Sequence, residues 1–236
     1  MKAVVFILAL LMINSVHASE FSVRCEGRPP AGPYFATFDT AAKAVVFETA
    51  PLSETSLDGI NVLAGDISNN DERADGRIKF TVRAPDGNLD LSYDTKKNRM
   101  IWPGIMAGDP FRPTLIHACE TLPPRSILSF RSPVPILHAV TVRCNEAGYV
   151  YITMDPESKR ALFDRGRNPP SYEGEVTAVR GDDIDLMMKF DHPNKILWNK
   201  SRQTITVNSN SGKPPQTLQC EETAPRTMIE YHKWLK

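Results

Sequence analysis

"VTVRCNEAGYVYITMDPESKRALFD" (140–164) decides the fold, because the chain contains it twice. Its echo is "FSVRCEGRPPAGPYFATFDTAAKAVVFE" (21–48). Val23-Arg24-Cys25 aligns with Val142-Arg143-Cys144, and after a shorter loop Asp39, Lys43 and Phe47 align with Asp155, Lys159 and Phe163. Further on, Gly59 and Ile60 fall near Gly174-Glu175-Val176. Leu63, Gly65 and Asp66 fall on Val179, Gly181 and Asp182. Lys79-Phe80 then matches Lys189-Phe190, Tyr93-Asp94 matches Trp198-Asn199, and Cys119-Glu120 matches Cys220-Glu221. The spacing between copies shrinks stepwise, each time in a polar or Gly/Pro-containing segment, where a loop changes length at little entropic cost. One ancestral unit has been duplicated.

Each copy reads as a string of short strands. In the second these are "VTVRC", "YVYITMD", "RALFD", "GEVTAV", "DIDLMMKF", "KILWNK", "QTITVNS" and "QTLQCE". "YVYITMD" and "QTITVNS" alternate apolar with polar residues, the signature of a half-exposed sheet. "DTAAK" (39–43) and "DPESK" (155–159) match as hairpin loops. This spacing predicts an all-β chain of two similar antiparallel meander domains, either small barrels or sandwiches. A short amphipathic helix is expected in the C-terminal "APRTMIEYHKWLK".

The expected organisation is a signal peptide over 1–18, copy one over 19–120, a connector over 121–138, copy two over 139–222 and a tail over 223–236. The signal reading rests on Lys2, the eleven-residue apolar run Ala3–Ile13, and Val16 and Ala18 at small-residue cleavage positions. Eleven residues fall short of the roughly 20 that span a bilayer. The connector, with prolines at 123, 124, 133 and 135, is expected to be extended, and its Ile127, Leu128, Phe130, Ile136 and Leu137 to pack against a domain.

Four cysteines in a chain with an export signal read as two disulfides, with three possible connectivities. Cys25 opens copy one and Cys119 closes it; Cys144 and Cys220 do the same in copy two. In a closing meander the first and last strands are neighbours, so the duplication favours one bond per copy. In the chain-entropy model each is worth about 4–5 kcal/mol.

Charge narrows the function. Twenty-eight basic side chains balance twenty-eight acidic ones, without a long run of either sign. This argues against nucleic acid, which requires a concentrated basic face, and against electrostatic membrane docking. His117, His138, His192 and His232 are scattered, with no metal-ligand spacing, so no cofactor or metal is expected. There is no Gly-x-Ser-x-Gly elbow, and "SNSGKPP" (209–215) lacks phosphate-loop spacing. Asp182, Asp183 and Asp185, and Asp71, Glu72 and Asp75, read as solvated loops rather than calcium ligands. Asn199-Lys200-Ser201 has the form of a glycosylation acceptor. Arg180-Gly181-Asp182 spells a cell-adhesion signal, but strand-like runs flank it and Gly-Asp suits a tight hairpin, so it is read as a turn. Trp198 is expected to pack as Tyr93 does, whereas Trp102, Tyr231 and Trp234 have no counterpart and either pack or face a partner.

An export signal, a cysteine in the first strand, turns such as "FDT" and "MDP", and a closing "ACE" or "QCE" resemble small, β-rich, disulfide-stapled bacterial envelope proteins, here two in tandem. The resemblance implies a periplasmic or secreted home and no defined activity. Periplasmic lysozyme inhibitors of the small-barrel kind share the cysteine-bracketed meander, and "SNSGK" loosely matches their Ser-Gly loop. The expected function is a non-enzymatic binding or scaffold protein for a protein or glycan partner. The alternatives are an inhibitor of a secreted hydrolase and, third, a hydrolase whose site escapes recognition.

Overall fold

The structure, a computed structural model, describes residues 19–27, 33–49, 61–71, 76–84, 87–103, 114–129, 136–146, 148–164, 172–190, 193–208 and 214–234. It is two closed, eight-stranded antiparallel barrels, which settles barrel against sandwich. Barrel one comprises β1 (Glu20–Cys25), β2 (Tyr34–Asp39), β3 (Ala44–Thr49), β4 (Asn61–Asp71), β5 (Arg77–Ala84), β6 (Gly87–Asp94), β7 (Arg99–Trp102) and β8 (Leu115–Leu122). Barrel two comprises β9 (Val140–Glu146), β10 (Gly148–Asp155), β11 (Arg160–Asp164), β12 (Tyr172–Arg180), β13 (Asp183–Lys189), β14 (Pro193–Asn199), β15 (Thr204–Asn208) and β16 (Gln216–Thr223). Each strand pairs with its sequence neighbours, and the first pairs with the last.

The disulfides sit on that closing pair. Cys25 lies directly opposite Cys119, and Cys144 opposite Cys220, with Cα atoms 4.0 and 4.1 Å apart. The connectivity expected from the duplication is the one present.

Every other side chain points inward. In barrel one Val23, Phe38, Val45, Phe47, Ile78, Phe80 and Val82 fill the interior; in barrel two Val142, Ile152, Met154, Leu186, Met188, Ile196 and Trp198 do. Tyr93 and Trp198 occupy the same place, each 1 % exposed, as the repeat predicts for a packing role.

Pairing register corrects part of the repeat alignment. Val45 faces Gly65 and Ala161 faces Gly174, so Gly65 corresponds to Gly174 and not to Gly181. The bulges Ile67/Asn69 and Val176/Ala178 follow at the same distance. Phe80, opposite Ile67, corresponds to Leu186 opposite Val176, and not to Phe190. The glycine is a packing requirement. A Cβ on Gly65 would stand 2.5 Å from the Thr81 carbonyl oxygen, and one on Gly174 would stand 2.3 Å from Met188 Sδ. Glycine followed by a bulge lets a strand bend around a small barrel.

Arg180-Gly181-Asp182 is a turn, as read. Gly181 has φ +60° at the tip of the β12–β13 hairpin, and Arg180 folds back onto the Asp185 carboxylate. Gly65-Asp66, aligned with Gly181-Asp182 in the repeat, lies instead in the middle of β4.

"DTAAK" and "DPESK" are matching turns. Asp39 and Asp155 each accept two backbone N–H bonds at 3.0–3.1 Å, while Lys43 and Lys159 take φ of 54° and 57°. "DTKKN" (94–98) and "NKSRQ" (199–203) repeat the device, with Asn98 at φ 48° and Gln203 at 52°. The glycosylation-like Asn199 therefore already has a structural task. Its Oδ1 accepts from Arg202 N at 2.8 Å and its Nδ2 donates to Asp183 Oδ1 at 2.5 Å.

Among the described residues the helix of the tail is only α1 (Glu230–Trp234), and no helix is long and apolar enough to cross a membrane. Residues 1–18 lie outside the described residues.

Candidate functional site

The half-exposed reading of "YVYITMD" does not hold, because its outward face is covered. Thr153, which points out of barrel two, is buried, and so are Thr37, Ala44, Val46 and Glu48 on the outside of barrel one. Something covers these outer faces. It is the pair of segments read from sequence as connector and tail.

Beyond Cys119-Glu120 and Cys220-Glu221 the repeat continues without a gap: "PPRSIL" (123–128) against "APRTMI" (224–229). These two arms build one polar knot twice. Arg125 N donates to Ser22 Oγ at 3.0 Å, and Ser22 bonds Thr37 at 2.8 Å. Arg226 N donates to Thr141 Oγ1 at 3.2 Å, and Thr141 bonds Thr153 at 3.1 Å. Arg125 Nη1 pairs with Glu48 Oε2 of β3; Arg226 Nη1 pairs with Asp164 Oδ1 of β11 at 2.7 Å. The guanidinium carbon of Arg125 sits 3.7 Å from the centre of the Phe35 ring, and that of Arg226 sits 4.4 Å from Tyr151. The hydroxyl pair, the carboxylate and the ring around each arginine fall on matching strands of the two barrels.

The knots differ in solvent exposure. Arg125 is fully buried and its Glu48 nearly so. Burial pushes the Glu48 carboxyl up to about 7, against the opposing pull of Arg125, and the same burial lowers the Arg125 guanidinium from its ordinary range. Both directions report charge that is costly to hold away from water. Around Arg226 the structure opens into a cavity of about 350 Å³ lined by Glu20, Tyr151, Thr223, Arg226, Thr227 and Glu230. Glu20 and Glu230 stand where the other copy has Ala139 and Ser129. Both are engaged: Thr227 Oγ1 donates to Glu20 Oε1, and Arg226 Nη2 donates to Glu230 Oε2 at 3.1 Å.

Past the arginines the arms cross. Ser126 and Thr227 form an antiparallel bridge, Ile127 N donates to Arg226 O at 3.0 Å, and Met228 N donates to Arg125 O at 2.8 Å. The 3-10 turn Ile127–Ser129 packs on β10 and β11, while α1 packs on β3 and β4. A third apolar core results, made of Ala44 and Val46, Leu162, Ile127, Leu128 and Ile136, and Met228, Ile229 and Tyr231. The expected packing of Ile127, Leu128 and Ile136 is thus realised, Leu137 is only half-buried, and Phe130 lies outside the described residues. Tyr231 packs in this seam, and burial raises its hydroxyl. His232 Nε2 lies 3.1 Å from Asp66 Oδ1 of barrel one.

A second region of note is one rim of each barrel. The tight turns joining β2–β3, β6–β7, β10–β11, β12–β13 and β14–β15 share one rim; the ends of β2, β7, β11, β12 and β13 that meet the other rim run into segments that lie largely outside the described residues. Aromatic side chains stand at the second. Trp102 Nε1 donates to Tyr34 Oη at 3.1 Å, and Phe47 and His117 pack against these two rings. In barrel two Phe163, Tyr172 and Phe190 cluster at the same end, with centroids 4.6–6.1 Å apart. Trp102 therefore packs, with one edge partly exposed, and the side chain of Trp234 lies outside the described residues.

The remaining candidates do not converge. His117 is a β8 residue whose Nδ1 lies 2.5 Å from Glu26 O, His138 is exposed and far along the chain, and His192 lies outside the described residues. Asp183 and Asp185 are held by Asn199 and Arg180; Glu72, Asp75 and the Asp71 side chain are outside the described residues. Among the described residues no three His, Cys, Asp or Glu side chains gather as metal ligands. Cys25, Cys119, Cys144 and Cys220 are all in disulfides.

Known proteins add no name to this arrangement: no family model, curated protein or solved structure matches the chain.

Proposed function

We propose that this is a non-enzymatic binding protein of the bacterial periplasm or of the secreted fraction, holding a protein or glycan partner at the loop-bearing rims of its two barrels. The observation that carries the reading is the asymmetry shared by both barrels. Asx-type turns recur on one rim, and partly exposed aromatic rings stand at the strand ends of the other. Loops on a rigid scaffold are where recognition is built, and aromatic rings supply stacking surface for sugars or apolar side chains. Two intramolecular disulfides suit an oxidising compartment, in keeping with the export signal read at 1–18.

The test is capture from periplasmic extract on immobilised protein, with Trp102→Ala and Tyr172→Ala variants alongside. A partner retained by the unaltered protein and lost from a rim variant that keeps its thermal midpoint supports the proposal. Repeated recovery of the same proteins by all forms, or of none, overturns it. A panel of lysozymes and secreted proteases assayed with the purified protein separates simple binding from inhibition.

A further inference from the structure

We propose that the seam is an isologous dimer interface enclosed within one chain: each barrel-plus-arm unit is the binding partner of the other, and residues 130–135 are not needed to hold them together. This does not depend on the rim proposal. A two-fold interface has a recognisable signature, in which residue i of one unit touches j of the other while j touches i. The seam shows it in the backbone. Ser126 and Thr227 are counterparts in the repeat and bridge to each other, as residues on a two-fold axis must. The bonds Ile127 N to Arg226 O and Met228 N to Arg125 O exchange identities when the copies are interchanged. Two unlike surfaces brought together by gene fusion would have no reason to pair in this reciprocal way.

Side chains follow the same symmetry. Each arginine anchors its arm to its own barrel, through Glu48 or Asp164, and the residues just after it lie over the other barrel. Strand β3 and its counterpart β11 each receive the opposite arm, and Val46 and Leu162 meet the arms' apolar residues in one core. The partner that fits this face is therefore another copy of the same unit. Symmetry breaks at the Arg226 knot, where Glu20 stands in place of Ala139 beside a cavity, and where the arms continue: Ser129 bonds both the N–H and the carbonyl of Ile136 on the way to barrel two, whereas Glu230 starts α1.

The experiment uses the full chain with a specific protease site replacing residues 130–135. Both disulfides close within a half, so cleavage leaves no covalent link between the two pieces. The expected result is two bands on a non-reducing denaturing gel and one peak of intact size on native gel filtration at micromolar concentration. Two peaks of half size would overturn the proposal. An Ile127→Asp/Met228→Asp form of the same chain is the second arm. After cleavage it should separate while each half keeps its disulfide and β-sheet circular dichroism. If it stays together, contacts other than the arms hold the seam and the proposal fails.

Discussion

Replacing Arg125 with methionine tests the buried knot most directly. Methionine preserves the apolar stem over Phe35 but removes the charge that neutralises Glu48. A buried carboxylate deprived of its partner costs about 3–5 kcal/mol. Losing the bond to Ser129 O and the cation–π contact adds about 1–2 kcal/mol. The cost depends on pH, and the sign can be worked out. Glu48 titrates at about 7 in the folded chain, above its ordinary 4.5, so the folded state binds its proton more tightly than the unfolded state. Stability from this group is greatest below 4.5 and is lost as pH rises through 7. Removing Arg125 raises the carboxyl further, so the variant should lose most at pH 8 and least at pH 5, where a proton does the work of the guanidinium. Pairing it with Glu48→Leu should recover all but about 1–2 kcal/mol, because an apolar pair avoids the desolvation cost altogether. Urea unfolding followed by the fluorescence of Trp102 and Trp198, one in each barrel, measures all four corners of the cycle. A single-mutant loss below about 1 kcal/mol at pH 8, or a double-mutant loss equal to the sum of the singles, would refute the reasoning.

Replacing Cys25 and Cys119 together by serine should cost barrel one about 4–5 kcal/mol, since the bond closes a loop spanning 94 residues; urea midpoints with peptide mapping check it. Gly65→Ala and Gly174→Ala should each cost about 1–3 kcal/mol, because the new Cβ meets backbone oxygen or a packed side chain. Gly181→Ala meets nothing within 4 Å and should lose only about 1 kcal/mol through its φ of +60°. Equal losses at Gly181 and Gly65 in thermal unfolding would show that crowding inside the barrel is not what the glycine avoids.

Much of this architecture is legible in the sequence, and what is not has a physical reason. Alternation and cysteine placement revealed two sulfur-closed meanders because both are local or pairwise signals. Barrel against sandwich was not legible, since both bury alternate residues and differ only in whether β1 meets β8. The displaced match of Gly65 to Gly181 arose because Gly-Asp appears in both copies, yet in one it lies opposite Val45 in a strand and in the other at a hairpin tip. The nearly fully buried Glu48 gives no sign of itself in the sequence. A single acidic residue at a strand end reads as solvent-facing until the arm that covers it is placed.

The arms themselves were within reach of sequence. "PPRSIL" and "APRTMI" stand at the spacing already set by Cys119 and Cys220, and prolines made them read as linker and tail. Proline there does exclude a central strand, but the next residue in each copy is an arginine whose own barrel supplies a carboxylate, a hydroxyl pair and an aromatic ring at matching positions. A duplicated charge with a duplicated set of partners is hard to retain by drift, because losing the partner of Arg125 or Asp164 strands a charge away from water. The repeat unit is therefore a barrel together with its arm. The arm extends over the neighbouring barrel, so the two units of this chain complete each other's outer layer.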